Sequence, residues 1–365
     1  MPTGGEVANE PLRAGIIGAG FIGAVHARAV RTLGQDLAAV AASTPARSRE
    51  AASALGAGTA IDTAEELAAA PDVDVVHICT PNALHAPLTR LALAAGKHVV
   101  LEKPVGMSVT EVADLTRRWR DTDRVVAVPF AYRFYPVVRE VRERVRGARV
   151  RLIHGSYLQD WLSRDTDTNW RVRSALGGPS RAFGDIGVHW CDLAEFVSGQ
   201  RIARLHAVLP RVVPERAGTP VDTEDAALVQ FETEQGVFGS AVISQISPGR
   251  RNELQLRIDT ADAEFVFDHR EPEILWMGGR AETRILHRGD PGLGPDAASR
   301  DLVPAGHPQG YLDSFTGFIA DAYAAMRGEK PDGLPTLADG ARAAAITGAV
   351  LDSARRRDWV DVTPS

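Results

Sequence analysis

From Arg13 to about Tyr135 the chain alternates short apolar runs rich in β-branched residues with Ala-rich stretches of helical period. The runs Ala14–Gly18, Ala38–Ser43, Val73–Thr80, His98–Glu102 and Val125–Phe130 predict strands. Because they are apolar along their length, both faces of their sheet must be covered, as in a parallel sheet between helices. Helices are predicted at Phe21–Leu33, Pro45–Leu55, Ala64–Ala70, Ala83–Ala95 and Val109–Asp121. That alternation defines a doubly wound α/β half, assigned to residues 11–135.

Beyond Arg149 the pattern changes to longer, alternating segments: Val150–Gln159, Ala203–Val212, Ala226–Glu232, Val237–Ile246, Glu253–Asp259 and Ala263–Phe267. These predict one large open, mostly antiparallel sheet in an α+β domain spanning 136–365. A helix at about Asp185–Val197 interrupts the strands, and helices at Tyr311–Arg327 and Leu337–Arg356 close the chain, the last able to pack back on the first domain. Arg288–Gly306, rich in Gly, Pro, Asp and Ala, reads as a loop.

A chain of 365 residues exceeds a single ordinary core, which supports two domains. A net charge of -6 offers no basic excess to hold nucleic acid. Cys79 and Cys191 are far apart and outside any C-x-x-C pair, which argues against a disulfide framework or structural zinc and for a reducing compartment. Met1–Arg13 lacks the charge and apolar run of a leader, and no segment has membrane-span length, so a cytoplasmic location is expected.

Gly18-Ala19-Gly20-Phe21-Ile22-Gly23 follows the first strand and opens the first helix, the context that gives a G-x-G-x-x-G match its meaning as a dinucleotide fingerprint. The turn and the helix N-terminus would hold a pyrophosphate. At the end of the second strand, where NAD-specific domains carry an acidic residue, stands Ser43, followed by Thr44, Arg47 and Arg49. Hydroxyls and guanidinium groups there favour NADP over NAD; the alternative is that the arginines decorate a solvated helix start.

Glu102-Lys103-Pro104 ends a strand on the side where α/β sheets bind ligands, which points to a positioned ammonium rather than a surface charge. Asp185 and His189, four apart on a predicted helix, would share a face, with His189 titrating near neutral pH and suited to take a hydroxyl proton. Taken alone, a His beside a Trp in a helix is more often a packed core residue than a base. A metal site at His189 and Cys191 is disfavoured because residues two apart diverge on a helix, and no metal is expected.

These motifs, with Thr80-Pro81-Asn82 and His85, Glu102-Lys103-Pro104-Val105, Tyr132-Arg133-Phe134, and Gly184-Asp185-Ile186-Gly187 with His189 and Asp192, occur in the order and spread that resemble the glucose-fructose oxidoreductase, inositol dehydrogenase and rhizopine-catabolism (Gfo/Idh/MocA) family. The resemblance implies a Rossmann domain, an α+β domain whose sheet joins subunits into a homodimer or homotetramer, and an active site between them. It implies Lys103 on the reacting oxygen, Asp185 positioning substrate or lysine, His189 as acid or base, and a frequently cis Lys103–Pro104 bond. It places Phe21, Ile22, Thr80, Asn82, His85 and Glu102 along the cofactor and Arg133 with the substrate.

Between the first long strand and the catalytic helix, Trp161, Trp170 and Arg171 suit a pocket wall that stacks on a sugar ring, or alternatively a sheet cover or interface. His307, Gln309 and Tyr311 could contribute from the later loop. The expected activity is hydride transfer between NAD(P) and a secondary alcohol or ketone of a sugar, sugar derivative or cyclitol. A redox-neutral glycosidase or lyase using transient oxidation, and a non-catalytic nucleotide sensor, are the competing readings.

Overall fold

The computed structural model describes residues 10–363; Met1–Asn9, on which the leader expectation chiefly rests, lie outside them. Strands β1 (Arg13–Ile17), β2 (Asp36–Ala41), β3 (Thr59–Ile61), β4 (Val75–Ile78), β5 (His98–Leu101) and β6 (Val126–Ala127) form a parallel sheet in the order β3-β2-β1-β4-β5-β6. Val75, Val76, Ile78, Val99, Val100 and Leu101 are all fully buried, which is why these runs carry no polar alternation. Helices α1 (Phe21–Thr32), α2 (Pro45–Leu55), α3 (Ala64–Ala68), α4 (His85–Ala94) and α5 (Val109–Arg120) cover the faces. The strand order reverses between β1 and β4, opening a crevice at their C-terminal ends. The short β3 has no apolar run to announce it.

Helix α6 (Pro136–Val145) follows, in a stretch for which no element was predicted although Val137, Val138, Val141 and Val145 recur at helical spacing; Arg139 and Glu140 are buried beside them. The second half then runs β7 (Val150–Leu158), α7 (Ser174–Gly177), a π-helical turn Phe183–Gly187 continuing into α8 (Val188–Ser198), β8 (Ile202–Val208), a small hairpin of β9 (Glu215–Arg216) and β10 (Thr219–Pro220), β11 (Ala226–Thr233), β12 (Phe238–Ser244), β13 (Glu253–Thr260), β14 (Ala263–Asp268), β15 (Ile274–Gly279) and β16 (Thr283–His287). It ends in α9 (Pro295–Ala298), α10 (Tyr311–Met326), α11 (Leu337–Arg356) and β17 (Val360–Asp361). Nine strands form one sheet in the order β16-β15-β14-β13-β7-β12-β11-β8-β17, antiparallel throughout except for β7 with β12.

The last helices tie the halves together. Phe315, Phe318, Ile319 and Ala322 of α10 share a core with Ala29 and Val30 of α1, and α11 packs on α5, α8 and β8. The parallel sheet draws its strands from residues 13–127, yet one of its covering helices comes from the far end of the chain. No helix among the described residues is long and apolar enough to cross a membrane.

Candidate active site

The β1–α1 turn is built for close approach. Gly18 holds φ +99°, where a Cβ would sit 2.4 Å from the Cys79 carbonyl, and a Cβ on Gly23 would sit 2.0 Å from the Gly18 carbonyl. A Cβ on Gly20 would meet nothing, because Gly20 faces the crevice. The first turn of α1 carries no acidic side chain, so its N-terminus can receive an anion. The turn therefore fits a dinucleotide pyrophosphate.

The crevice has a volume of about 1680 Å³ and runs from this turn to the large sheet. Phe21, Ile22, Ser43, Thr44, Arg47, Thr80, Asn82, His85, Glu102 and Lys103 all line it. Thr44 caps α2 by accepting the Arg47 backbone N–H at 3.2 Å, and buried Ser48 accepts the Ala42 N–H at 2.9 Å, fixing the turn after β2. Arg49 does not line the crevice: its exposed guanidinium is 3.9 Å from Asp62, since two residues beyond Arg47 the helix has turned its side chain away. Asn82 donates to the Gly177 carbonyl at 2.8 Å, tying the first half to α7. His85 sets its two ring nitrogens against the carbonyls of Pro104 (2.7 Å) and Thr80 (2.8 Å), which positions the loop carrying Lys103. The Lys103–Pro104 peptide is cis.

Lys103, Asp185 and His189 converge at the crevice end nearest the large sheet. Lys103 Nζ donates to Asp185 Oδ1 at 2.8 Å and to the Asp185 backbone carbonyl at 2.7 Å. Asp185 Oδ2 accepts from Gln245 Nε2 at 2.9 Å, and Arg171 Nε lies 3.5 Å from Oδ1. Burial pushes the Asp185 carboxyl up, but the Lys103 and Arg171 charges outweigh it and hold the group well below the usual range. The carboxylate is thus a fixed anion.

His189 departs from its expected titration near neutrality. Burial, helped by the Lys103 charge, pushes its imidazole down to about 3. Its ring sits edge-on to Phe130 and Tyr132, and its Nδ1 has no hydrogen-bond partner among the described residues. The neutral ring stands beside the ammonium.

Trp161, Trp170 and Arg171 line the crevice, together with Tyr132, Tyr157, Gln159, Asn252 and Tyr311. Trp161 Nε1 donates to Gln159 Oε1 at 2.8 Å, and the Arg171 guanidinium lies 4.4 Å over the Trp170 ring. Tyr132 and Tyr157 pair at 2.6 Å, and Tyr157 donates to Asn252 at 2.8 Å. Tyr132 and Tyr311 were among the residues the sequence singled out, whereas Tyr157, Asn252 and Gln245 were not, because only the sheet register brings Tyr157 and Asn252 to the crevice and Gln245 to Asp185. Gln309 is buried and holds the Leu302 N–H and the Arg300 carbonyl, and exposed His307 does not line the crevice.

Arg133 is not a substrate residue in this structure. The 3-10 turn Ala131–Phe134 sends Tyr132 to the crevice and Arg133 into the core, where it pairs with both oxygens of Asp192 and with Asp339 at 2.7 Å, 4.8 Å from the Phe196 ring centre. A buried guanidinium with two carboxylates is a structural tie between the halves.

A phosphate-ready turn feeding a crevice that ends in Lys103, Asp185 and a neutral imidazole defines a nicotinamide-dependent dehydrogenase or reductase of CH–OH groups. Residues 12–130 match the oxidoreductase family with an NAD-binding Rossmann fold, and residues 138–264 match the GFO/IDH/MocA C-terminal domain. The chain belongs to the Gfo/Idh/MocA oxidoreductase family. It is 29% identical over 393 residues to levoglucosan dehydrogenase of Pseudarthrobacter phenanthrenivorans, covering 96% of this chain and 98% of that protein. Its fold superposes with a TM-score of 0.90 on an oxidoreductase domain protein from Kribbella flavida (30% identity, 97% of this chain and 100% of that one). It superposes with a TM-score of 0.88 on an inositol dehydrogenase homologue from Azotobacter vinelandii bound to NADH and myo-inositol (28% identity, 97% and 98%).

Proposed function

We propose that the protein oxidises a secondary alcohol on a sugar-like ring, and that the Lys103–Asp185 pair beside neutral His189 carries that reading. Bound NAD(P)+ supplies the acceptor for the hydride. Lys103, held by Asp185, would turn a remaining N–H to the substrate oxygen and stabilise the negative charge that develops there. His189 would take the hydroxyl proton. An imidazole held at about 3 is a weak base, so most of the barrier reduction falls to Lys103; one positioned donor of this kind is worth roughly 10²–10³ in rate.

Trp161 and Trp170 offer apolar faces and Gln159, Asn169 and Asn252 offer polar ends, a wall suited to a rigid pyranose such as an anhydrosugar or to a cyclitol. On the cofactor, Ser43, Thr44 and Arg47 line the crevice and no carboxylate stands between β2 and α2, which supports NADP as the preferred form, although Glu50 and Asp62 line the crevice too and relatives are described with NADH. We further infer a cytoplasmic enzyme, given two buried free thiols, and a homo-oligomer joined through the outer face of the nine-stranded sheet. Purified protein should reduce NADP+, and NAD+ less well, on one of a panel of anhydrosugars, glycosides, monosaccharides and inositols, followed at the nicotinamide absorbance. Arg47→Ala should erase the NADP+ advantage. Turnover of no panel member in either direction would refute the dehydrogenase reading.

A further inference from the structure

Behind the crevice, four side chains from four elements form an unbroken buried line. Glu102 Oε1 lies 3.2 Å from His26 Nε2, His26 Nδ1 lies 2.8 Å from His77 Nδ1, and His77 Nε2 lies 2.9 Å from the Tyr323 hydroxyl. His26 stands on α1, His77 on β4 and Tyr323 on α10. Both histidines are 0% exposed and Tyr323 is 2% exposed. Buried polar groups on this scale are costly unless each is satisfied, and satisfaction fixes the protons.

With Glu102 ionised, one arrangement pairs every atom with both histidines neutral. Tyr323 donates its O–H to His77 Nε2, His77 donates Nδ1–H to His26 Nδ1, and His26 donates Nε2–H to the carboxylate. Burial depresses His77 strongly, in keeping with its neutral form. All three donors point the same way, toward Glu102, and Tyr323 makes no hydrogen bond beyond His77 among the described residues. A chain closed at its far end cannot deliver protons to solvent, but it can hold a charge at its near end.

We propose that His26, His77 and Tyr323 are positioning residues that keep the Glu102 carboxylate, which lines the crevice and accepts the Lys103 backbone N–H on Oε2 at 3.2 Å, ionised at the nicotinamide end, so that the oxidised, cationic cofactor is bound in preference to the reduced one. This rests on the cofactor reading above. In a doubly wound sheet each half takes one nucleotide, and Glu102 directly follows β5 in the half opposite the β2 adenosine turn. The other groups within reach of the carboxylate are Lys103, His85, His189, Cys79 and Tyr311, with Asp74 and Arg327 near Tyr323. Removing a chain donor leaves all of these in place.

The test is the ratio of NAD+ to NADH affinity in the full-length protein at pH 5.5 and pH 8, by fluorescence titration. NAD is used because the 2′-phosphate of NADP titrates in the same range. In the wild type the ratio should be the same at both pH values. In His26→Phe it should fall roughly five- to tenfold at pH 5.5 and recover at pH 8, the size expected for one hydrogen bond to a charged group. Tyr323→Phe, the milder variant should His26→Phe not fold, should shift the ratio the same way by roughly twofold. Glu102→Gln should show the low ratio at both pH values. Equal weakening of NAD+ and NADH in the chain variants, independent of pH, would mean that the chain only packs and would overturn the proposal. Binding of neither nucleotide by the wild type would remove the cofactor reading first, and the proposal with it.

Discussion

On the proposed reading Lys103 acts through a single ammonium, so its loss should show first in the rate. Lys103→Met should lower kcat/KM by roughly 10²–10³ while circular dichroism stays unchanged; a loss under tenfold would move the oxygen-binding role elsewhere. His189 predicts a pH profile as well. Its folded-state value of about 3 leaves the imidazole neutral throughout the ordinary range, and its proton-accepting form is lost only as pH falls through that value. The kcat/KM for oxidation should therefore show no His189 limb between pH 5 and 8, where an unperturbed histidine would give a midpoint near 6.5. Lys103 and Asp185 were legible because each sits in a contiguous motif. The depression of His189 was not, because it comes from burial against Phe130 and Tyr132 and then from the Lys103 charge, residues remote in the chain. Arg133 was misread for the same reason, since its partners Asp192 and Asp339 lie 59 and 206 residues away.

At the scale of elements, the β1–α1 turn has the least room for error. Gly23→Ala would drive a Cβ to 2.0 Å from the Gly18 carbonyl, and backbone cannot yield as a side-chain tip would. Moving α1 off the sheet should cost roughly 1–3 kcal/mol, read as a fall in Tm, and should weaken NAD(P)+ binding by more than tenfold. A variant that binds as the wild type does would show that the helix start plays no part in holding the phosphates. Elements with a clean period, such as α11 (Leu337–Arg356), were read to the residue. Those whose stability comes from neighbours were missed: three-residue β3 lies along β2, and β15 and β16 extend the sheet edge with Gly278, Gly279 and an exposed Ile285 in place of an alternating apolar face. The helix predicted at Asp185–Val197 begins instead as a π-turn, whose N-terminal end Glu224 holds through Ser180 and the Arg181 and Phe183 N–H groups. A contact from a distant loop leaves no local period.

At the scale of the whole molecule, an apolar surface among the described residues is left uncovered by the chain itself. On the nine-stranded sheet β11 alternates strictly, sending Ala227, Val229 and Phe231 into the core and Leu228 outward. Leu228 lies opposite Val208 on β8 and Val242 on β12, and Leu152 lies opposite Phe238, with all five side chains between 39% and 52% exposed. Aligned cross-strand rows of this kind form a patch rather than scattered surface residues, and burying it twice over a two-fold axis would suit a stable interface of about 800 Å² per partner. Sedimentation equilibrium of the wild type should give a mass at least twice the 39.1 kDa of the chain. Leu228→Lys combined with Val242→Lys puts like charges at the centre of the patch and should yield monomers whose NAD(P)+ affinity is retained, because the crevice lies on the other side of the sheet's buried layer. A wild type that is monomeric at micromolar concentration would leave the patch without a partner of its own kind, and a double variant that assembles as before would place the subunit contact elsewhere.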